Sequence, residues 1–418
     1  MPRTASSYLS VRDLVPQVAT AASRYAADRL FLLHGGGDAS NLPIFDPRER
    51  RSSGLEFATQ DYLALASHPG LRTAAIGSLG QHRLCAPGTT PQLGLTAPVL
   101  ALEDRVAGFL HVPHAVSFPS GAEAIRATMH ALLLPGDEVI VDQDAHPAMF
   151  EAVLIARARL HRCPAGSIEA VERRLRRLGG QSRRGRVWLA VPALSAHGSV
   201  MSDTSELSAL CREHGAGLIV DVAHDLGSMG QGGGGVLEIQ NCLGRPDVVV
   251  GSFAKCFGAA GGFAAFQDPT LTDRLRSGRP GQWRTAALSP VNAAAILAAF
   301  DLIDSAEGRR RRRRLHGTTL RLRNHLIADG LRVMGQPSPL VPVRLPPKSA
   351  QLATRLLHSA GPRVTLLQAP LVASLAPRWR IQLSSDHAAA DIDHLAELIR
   401  DVTRAVDRQS RPPRPTDQ

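Results

Sequence analysis

Of the 48 basic side chains in this 418-residue chain, only two are lysines, Lys255 and Lys348. Arginine supplies the positive charge everywhere else. Arginine keeps its proton in a protein, whereas a lysine amine can be deprotonated by its surroundings and attack a carbonyl. Lys255 lies in Gly251-Ser252-Phe253-Ala254-Lys255-Cys256-Phe257-Gly258, just after the apolar run Val248-Val249-Val250. It is therefore a candidate Schiff-base lysine. Codon bias in a GC-rich genome accounts for the arginine excess, but not for where this lysine sits.

Three further groups could serve the same chemistry. Asp221 ends the apolar run Leu218-Ile219-Val220. A carboxylate there is costly unless it meets a cation. A pyridinium nitrogen is such a cation, and a carboxylate beside it strengthens the ring as an electron sink. His224 follows closely and could reach the ring's phenolic oxygen. The alternative is an N-cap aspartate with a loop histidine. His146, in Asp142-Gln143-Asp144-Ala145-His146, could stack on a planar cofactor or be a polar loop histidine. Ser120, Gly121 and Ala122 open a helix whose first amides could hold a phosphate, or they form an ordinary cap. Ser252, three positions before Lys255, could bind the same phosphate, unless this is a loop with a stray surface lysine. Together the four groups make a strong pattern, because their order and their placement after successive apolar runs suit a ligand site at strand ends.

The elements that must carry these residues alternate. Helix-period stretches at Ala101–Leu110, Ala122–Leu134, Ile168–Leu178 and Ser205–His214 interleave with short apolar runs. Those runs, at Ala115–Phe118, Glu138–Val141, Val187–Val191, Gly217–Val220, Val248–Val250 and Gly262–Phe266, predict strands. The alternation predicts an α/β fold with a mostly parallel sheet covered on both faces. A helical stretch from Pro290 to about Asp329 leads to a smaller α+β portion. There Leu340–Leu345, Arg363–Leu367 and Trp379–Leu383 read as strands and Ala390–Val406 as a closing helix. An N-terminal helix is expected over Val11–Leu30, followed by the turn loop His34–Asp38.

Composition narrows the function classes. Hydrophobic residues make up 44% and mean hydropathy is near zero, as in a globular protein. No run approaches the roughly 18 to 20 apolar residues of a membrane span. The first residues lack the apolar core of a secretory signal. The five cysteines are scattered without metal-ligand spacing, so free thiols in the cytoplasm, and no metal, are expected. The net charge of +11 raises nucleic acid. However, aromatic residues are only 4%, leaving few stacking platforms. The sharpest basic cluster, Arg309–Arg314, reads as a solvated turn of a long helix. An acidic small substrate or an acidic carrier protein also suits the charge.

At these residues the chain resembles the α-oxoamine synthase family of fold-type I pyridoxal-phosphate (PLP) enzymes, from about Phe57 to Val406. The resemblance rests on Gln60-Asp61-Tyr62-Leu63-Ala64-Leu65, Leu102-Glu103, Pro135-Gly136-Asp137, Asp144-Ala145-His146, Asp221-Val222-Ala223-His224, Ser252-Phe253-Ala254-Lys255 and Arg378-Trp379-Arg380-Ile381-Gln382-Leu383-Ser384. It implies that Lys255 holds PLP covalently and later moves a proton. Asp221 would pair with the pyridinium and His146 would stack on the ring. His224 and Ser195 would approach the phenolic oxygen. The Ser120-Gly121-Ala122 amides and Ser252 would bind the phosphate. Thr285 would reach the phosphate of a neighbouring subunit, so a homodimer with shared sites is implied. Arg380 would hold an amino-acid carboxylate as a two-pronged fork.

The implied reaction condenses an amino acid with an acyl thioester, on CoA or an acyl carrier protein, to give an α-amino ketone, with or without decarboxylation. Two alternatives stay open: another fold-type I reaction such as transamination or aldolase-type cleavage, and a non-catalytic partner subunit, which would be expected to lose the lysine. The chain departs from the family pattern near the substrates. Leu95 and Val99 stand where Asn and His are usual, and Ser195-Ala196-His197-Gly198-Ser199 replaces Ser-Met-Asp-Gly-Asp. This points to a specialised pathway. The expected organisation is an N-terminal arm over 1–55, a large PLP-binding domain over 56–290, a small domain with its connecting helix over 291–408, and a disordered tail over 409–418.

Overall fold

The computed structural model describes residues 56–85, 95–179, 185–276, 286–368 and 377–410. The expected N-terminal helix, the His34–Asp38 loop, Thr285 and residues 411–418 lie outside the described residues.

The six expected apolar runs are all strands, and each extends by no more than two residues beyond the expectation. They are His114–Phe118 (β1), Glu138–Asp142 (β2), Val187–Pro192 (β4), Gly217–Asp221 (β5), Val248–Ser252 (β6) and Gly262–Phe266 (β7). A seventh, Arg159–Cys163 (β3), was not expected. The sheet order is β1-β7-β6-β5-β4-β2-β3. Strands β2, β3, β4, β5 and β6 pair in parallel, and β7 runs antiparallel to both β6 and β1. The inner strands are apolar along their whole length because both faces are covered. Successive residues alternate between two cores: Leu218 and Val220 face one, Ile219 the other, and Phe263 and Ala265 lie opposite Ala264 and Phe266.

Before the sheet come Pro69–Gln81 (α1) and Ala97–Leu110 (α2). One face of the sheet is covered by Gly121–Leu132 (α3), Pro147–Ile155 (α4) and Pro269–Arg276 (α8), which carry Ala124, Met149 and Leu271 into the second core. Helix α2 joins Ile168–Gly179 (α5), Thr204–Glu213 (α6) and the short Gly235–Ile239 (α7) on the other.

The stretch after Pro290 is two helices, Pro290–Asp304 (α9) and Ala306–Ala328 (α10). Ser305 separates them in extended backbone, and its hydroxyl accepts from Gly308 N to start the second. Beyond lie Leu340–Arg344 (β8), Ala350–Ser359 (α11), Thr365–Leu367 (β9), Arg378–Gln382 (β10) and Ala389–Ser410 (α12). Strands β8, β10 and β9 form a second, antiparallel sheet in that order. The last helix runs to Ser410, four residues past the expected Val406.

The arginine run corrects an expectation. It is helical, but not uniformly solvated. Arg312 is 5% exposed, donating to Ile303 O at 2.9 Å and Gln231 O at 2.6 Å. Arg311 donates to Leu63 O and pairs with Glu307. Arg309, Arg310, Arg313 and Arg314 are exposed.

Candidate active site

The carboxyl ends of β4, β5 and β6, the loop after β2, and β10 converge on one cleft. Strand β5 ends at Asp221, which lies beside Pro192 of β4 and Val250 of β6 and is 8% exposed. Its Oδ1 accepts from Ala223 N at 2.9 Å, so the carboxylate itself turns the chain out of the strand. That turn brings His224 toward the cleft.

Lys255 is held by the core on both sides. Phe253 and Phe257 are fully buried, with ring centroids 5.2 Å apart, and Phe257 lies 4.6 Å from Phe300 of α9. Aromatic pairs of this kind are worth about 0.5–1.5 kcal/mol beyond the area they bury. They anchor the loop from which the amine projects. Gly258 has φ +66°, and a Cβ there would come within 2.5 Å of Ala66 N. The lysine loop is thus pressed against residues 61–66. Asp61 ties that segment by accepting from the Leu65 and Ala66 amides, and Ser385 N donates to Tyr62 O. The segment places Tyr62 behind the cleft.

The cleft encloses about 240 Å3, and Asp144, His146, Asp221, His224, Lys255 and Arg380 are among its lining. Lys255 Nζ lies 3.0 Å from His224 Nε2, and Tyr62 Oη lies 2.9 Å from His224 Nδ1. Burial pulls the Lys255 amine down to about 8, with Asp221 opposing and Arg380 assisting. Burial, then the charges of Lys255 and Arg380, hold His224 well below the ordinary histidine value, so its ring is neutral. Burial also raises the Tyr62 phenol, which keeps its proton. His146 caps α4, its Nδ1 accepting from Ala148 N at 3.1 Å. Desolvation lowers its pKa as well, against the pull of Asp221. An amine near neutrality beside neutral imidazoles and a carboxylate can act as a nucleophile and then carry a proton.

A second cavity of about 510 Å3 opens on the other side of Lys255, between the 56–66 segment and the loop after the lysine. Small residues wall it, among them Ala58, Ala66, Ala254 and Gly258.

At the carboxyl end of β6, α3 starts against Ser252. A Cβ on Gly121 would lie 2.7 Å from Ser252 Cβ and 3.1 Å from Ser252 Oγ. Only glycine lets the helix start come this close. Ser120 Oγ accepts from Glu123 N at 3.2 Å. The first-turn amides of Gly121 and Ala122 have no intrahelical carbonyl to bond. Beside the Ser252 hydroxyl, such helix-start amides are of the kind that can bind an anion.

Most of the expected residues therefore meet. Ser195 does not open on the cleft: it is 2% exposed, its hydroxyl donates to Asp144 Oδ2 at 2.6 Å, and it accepts from the His197 and Gly198 amides. Thr285 lies outside the described residues. Three residues were not singled out from the sequence as site residues: Asp144 and His197, which line the cleft, and Tyr62, buried behind it. His197 Nδ1 lies 3.9 Å from Asp144 Oδ1. Burial would raise the Asp144 carboxyl, but hydrogen bonds from His197 and Ser195 outweigh it and hold it below the usual range. Tyr62 is 162 residues from His224, and no spacing joins them. The resemblance of the 60–65 segment was the one signal that touched it. Among the described residues no cluster of acids, histidines and cysteines could hold a metal. Among them, too, no helix is long and apolar enough to cross a membrane.

The family model for aminotransferase class I and II matches residues 56–399. An 8-amino-7-oxononanoate synthase of Citrifermentans bemidjiense is 30% identical over 359 residues, 84% of this chain and 90% of that protein. Another, from Acidithiobacillus ferrooxidans, is 32% identical over 83% of this chain and 88% of its own. A solved serine palmitoyltransferase from S. paucimobilis, with bound PLP-myriocin aldimine, shares the fold with a TM-score of 0.82. It is 22% identical, with 93% of this chain and 99% of that one covered. This chain belongs to the aminotransferase class I and II family, in the α-oxoamine synthase group that includes 8-amino-7-oxononanoate synthase.

Proposed function

We propose that this protein is a PLP-dependent α-oxoamine synthase that joins an amino acid to an acyl thioester, releases the thiol and, with loss of the original carboxylate, yields an α-amino ketone. The observation that carries the reading is the enclosed Lys255 amine, poised near neutrality in one cavity with Asp221, His146, His224 and Arg380.

The residues fit PLP. The close approach of Gly121 to Ser252 leaves no room for a side chain at Gly121 and brings the first-turn amides of α3 beside the Ser252 hydroxyl. Ser120, Gly121, Ala122 and Ser252 would hold the phosphate. Asp221 would meet the ring nitrogen from within the sheet, and His146 would cover the ring face. PLP supplies an electron sink for charge developing at an amino acid's α-carbon. Lys255 would hold the cofactor, and its amine would move the proton at the substrate α-carbon. His224, neutral and bonded to Tyr62, would face the phenolic oxygen. Arg380 fixes the substrate carboxylate. The thioester arrives on CoA or an acyl carrier protein; both are anionic and suit a chain of charge +11. The protein works in the cytoplasm as a homodimer with shared sites. The departures at Leu95, Val99 and His197 suit a specialised biosynthetic pathway.

The test supplies PLP to the wild-type chain and to Lys255→Arg. Wild type is expected to gain the visible-edge absorbance of lysine-bound PLP and to release thiol from acyl thioesters only when an amino acid is present. The variant is expected to lose both. Equal absorbance and turnover in the two proteins would overturn the assignment.

A further inference from the structure

Three side chains form a hydrogen-bonded line behind the cleft: Tyr62 Oη to His224 Nδ1 at 2.9 Å, then His224 Nε2 to Lys255 Nζ at 3.0 Å. Tyr62 has no exposed surface. Among the described residues, His224 Nδ1 is the only hydrogen-bond partner of its hydroxyl. A neutral imidazole carries one proton, and the nitrogen that holds it decides what Lys255 meets. If Nδ1 held the proton, it would donate to the phenol oxygen. The phenol's own proton would then have no acceptor among the described residues, the more costly way to leave a buried donor. If the phenol donates to Nδ1, its proton is satisfied and Nε2–H faces the amine.

We propose that Tyr62 is a positioning residue: its hydroxyl donates to His224 Nδ1, holds His224 as the Nε2–H tautomer, and so presents a donor to the Lys255 amine. A neutral amine can accept that bond and an ammonium cannot. The arrangement therefore favours the uncharged, nucleophilic form of Lys255. Its other neighbours divide: Asp221 and Asp225 favour the ammonium, and Arg380 opposes it. His224 is faced by Arg380, His197 and His146, and Tyr62 by Arg380, Cys256 and Asp225. Those influences act through distance alone. The Tyr62 bond adds direction, and it is firmly placed because Ser385 N donates to Tyr62 O at 2.8 Å and the adjoining turn is tied by Asp61.

The inference rests on the proposed chemistry only for the use made of the amine. With two lysines in the chain, the amine can be read directly in the full-length protein freed of any bound aldehyde. Lysine labelled with 13C at Cε gives two resonances, and Lys348→Arg assigns them. In wild type Lys255 is expected to titrate near 8. In Tyr62→Phe, where His224 is free to turn an acceptor toward the ammonium, the midpoint should rise by about one unit while Lys348 stays put. An unmoved Lys255 midpoint in a folded Tyr62→Phe protein would overturn the proposal. Should that variant not fold, the 15N spectrum of wild-type His224, assigned with His224→Gln, decides: a proton on Nε2 supports it and a proton on Nδ1 defeats it. Failure to bind PLP would sink the enzyme assignment and leave this titration readable.

Discussion

The buried carboxyl Asp225, one residue beyond His224, has a consequence of its own. It is fully buried, its Oδ2 accepts from Val236 N at 2.7 Å, and its Oδ1 has no hydrogen-bond partner among the described residues. Burial raises it from 3.8 to about 8, with the Val236 bond opposing. The folded state thus holds this proton more tightly than the unfolded chain. Its contribution to stability is complete below about 3.8 and is lost as pH climbs toward about 8. Asp225→Asn, which keeps an acceptor for Val236 N and cannot ionise, should give a melting temperature that falls less steeply between about pH 5 and 8 than wild type. Parallel melting curves would contradict the assignment. Asp221, His224 and Lys255 were legible in the sequence because each closely follows an apolar run. Asp225 and Tyr62 were not, because their roles come from buried partners on other segments, Val236 N and His224.

At the level of the element, legibility followed hydrophobic pattern. Strands β4, β5 and β6 could be read because burial on both faces demands unbroken apolar runs. Strand β3, Arg-Leu-His-Arg-Cys, escaped because it is the sheet edge, pairs only with β2, and hides chiefly Cys163. Helix α4 escaped because Pro147 starts it directly after the His146 cap, so its first residues read as a loop motif. The arginine run misled for a related reason: six identical residues carry no pattern to separate the buried one from the solvated ones. Arg312 donates to Ile303 O near the end of α9 and to Gln231 O, so truncating it removes the donor from a buried helix-end carbonyl and from a loop carbonyl. Arg312→Ala should cost about 2–4 kcal/mol, and Arg310→Ala should stay within about 0.5 kcal/mol. Urea midpoints of the two variants would distinguish them, and equal midpoints would show the run to be solvated throughout.

Across the whole molecule, the cleft has contributions from both sheets. Arg380 comes from β10, Asp221 from β5, and the 56–66 segment bridges them: Gln382 N donates to Phe57 O and Ser384 Oγ to Asp61 O. Apolar side chains remain outside this framework, with Ile76 61% exposed on α1 and Leu79 and Leu100 also exposed. A second copy of the chain would cover such a surface. We expect the wild-type protein to sediment as a dimer and Ile76→Asp to weaken the association at least tenfold, a shift of about 1.4 kcal/mol. A monomeric wild type would remove the shared-site reading. Six of the seven strands of the large sheet, the α/β class, the lysine and the strand-end aspartate could be read along the chain, because periodicity and the rarity of lysine are local signals. The Tyr62–His224–Lys255 line, the burial of Arg312, the withdrawal of Ser195 behind Asp144 and the glycine-only approach of α3 to Ser252 could not. Each depends on atoms far apart in sequence reaching contact distance, and packing in three dimensions alone sets those distances.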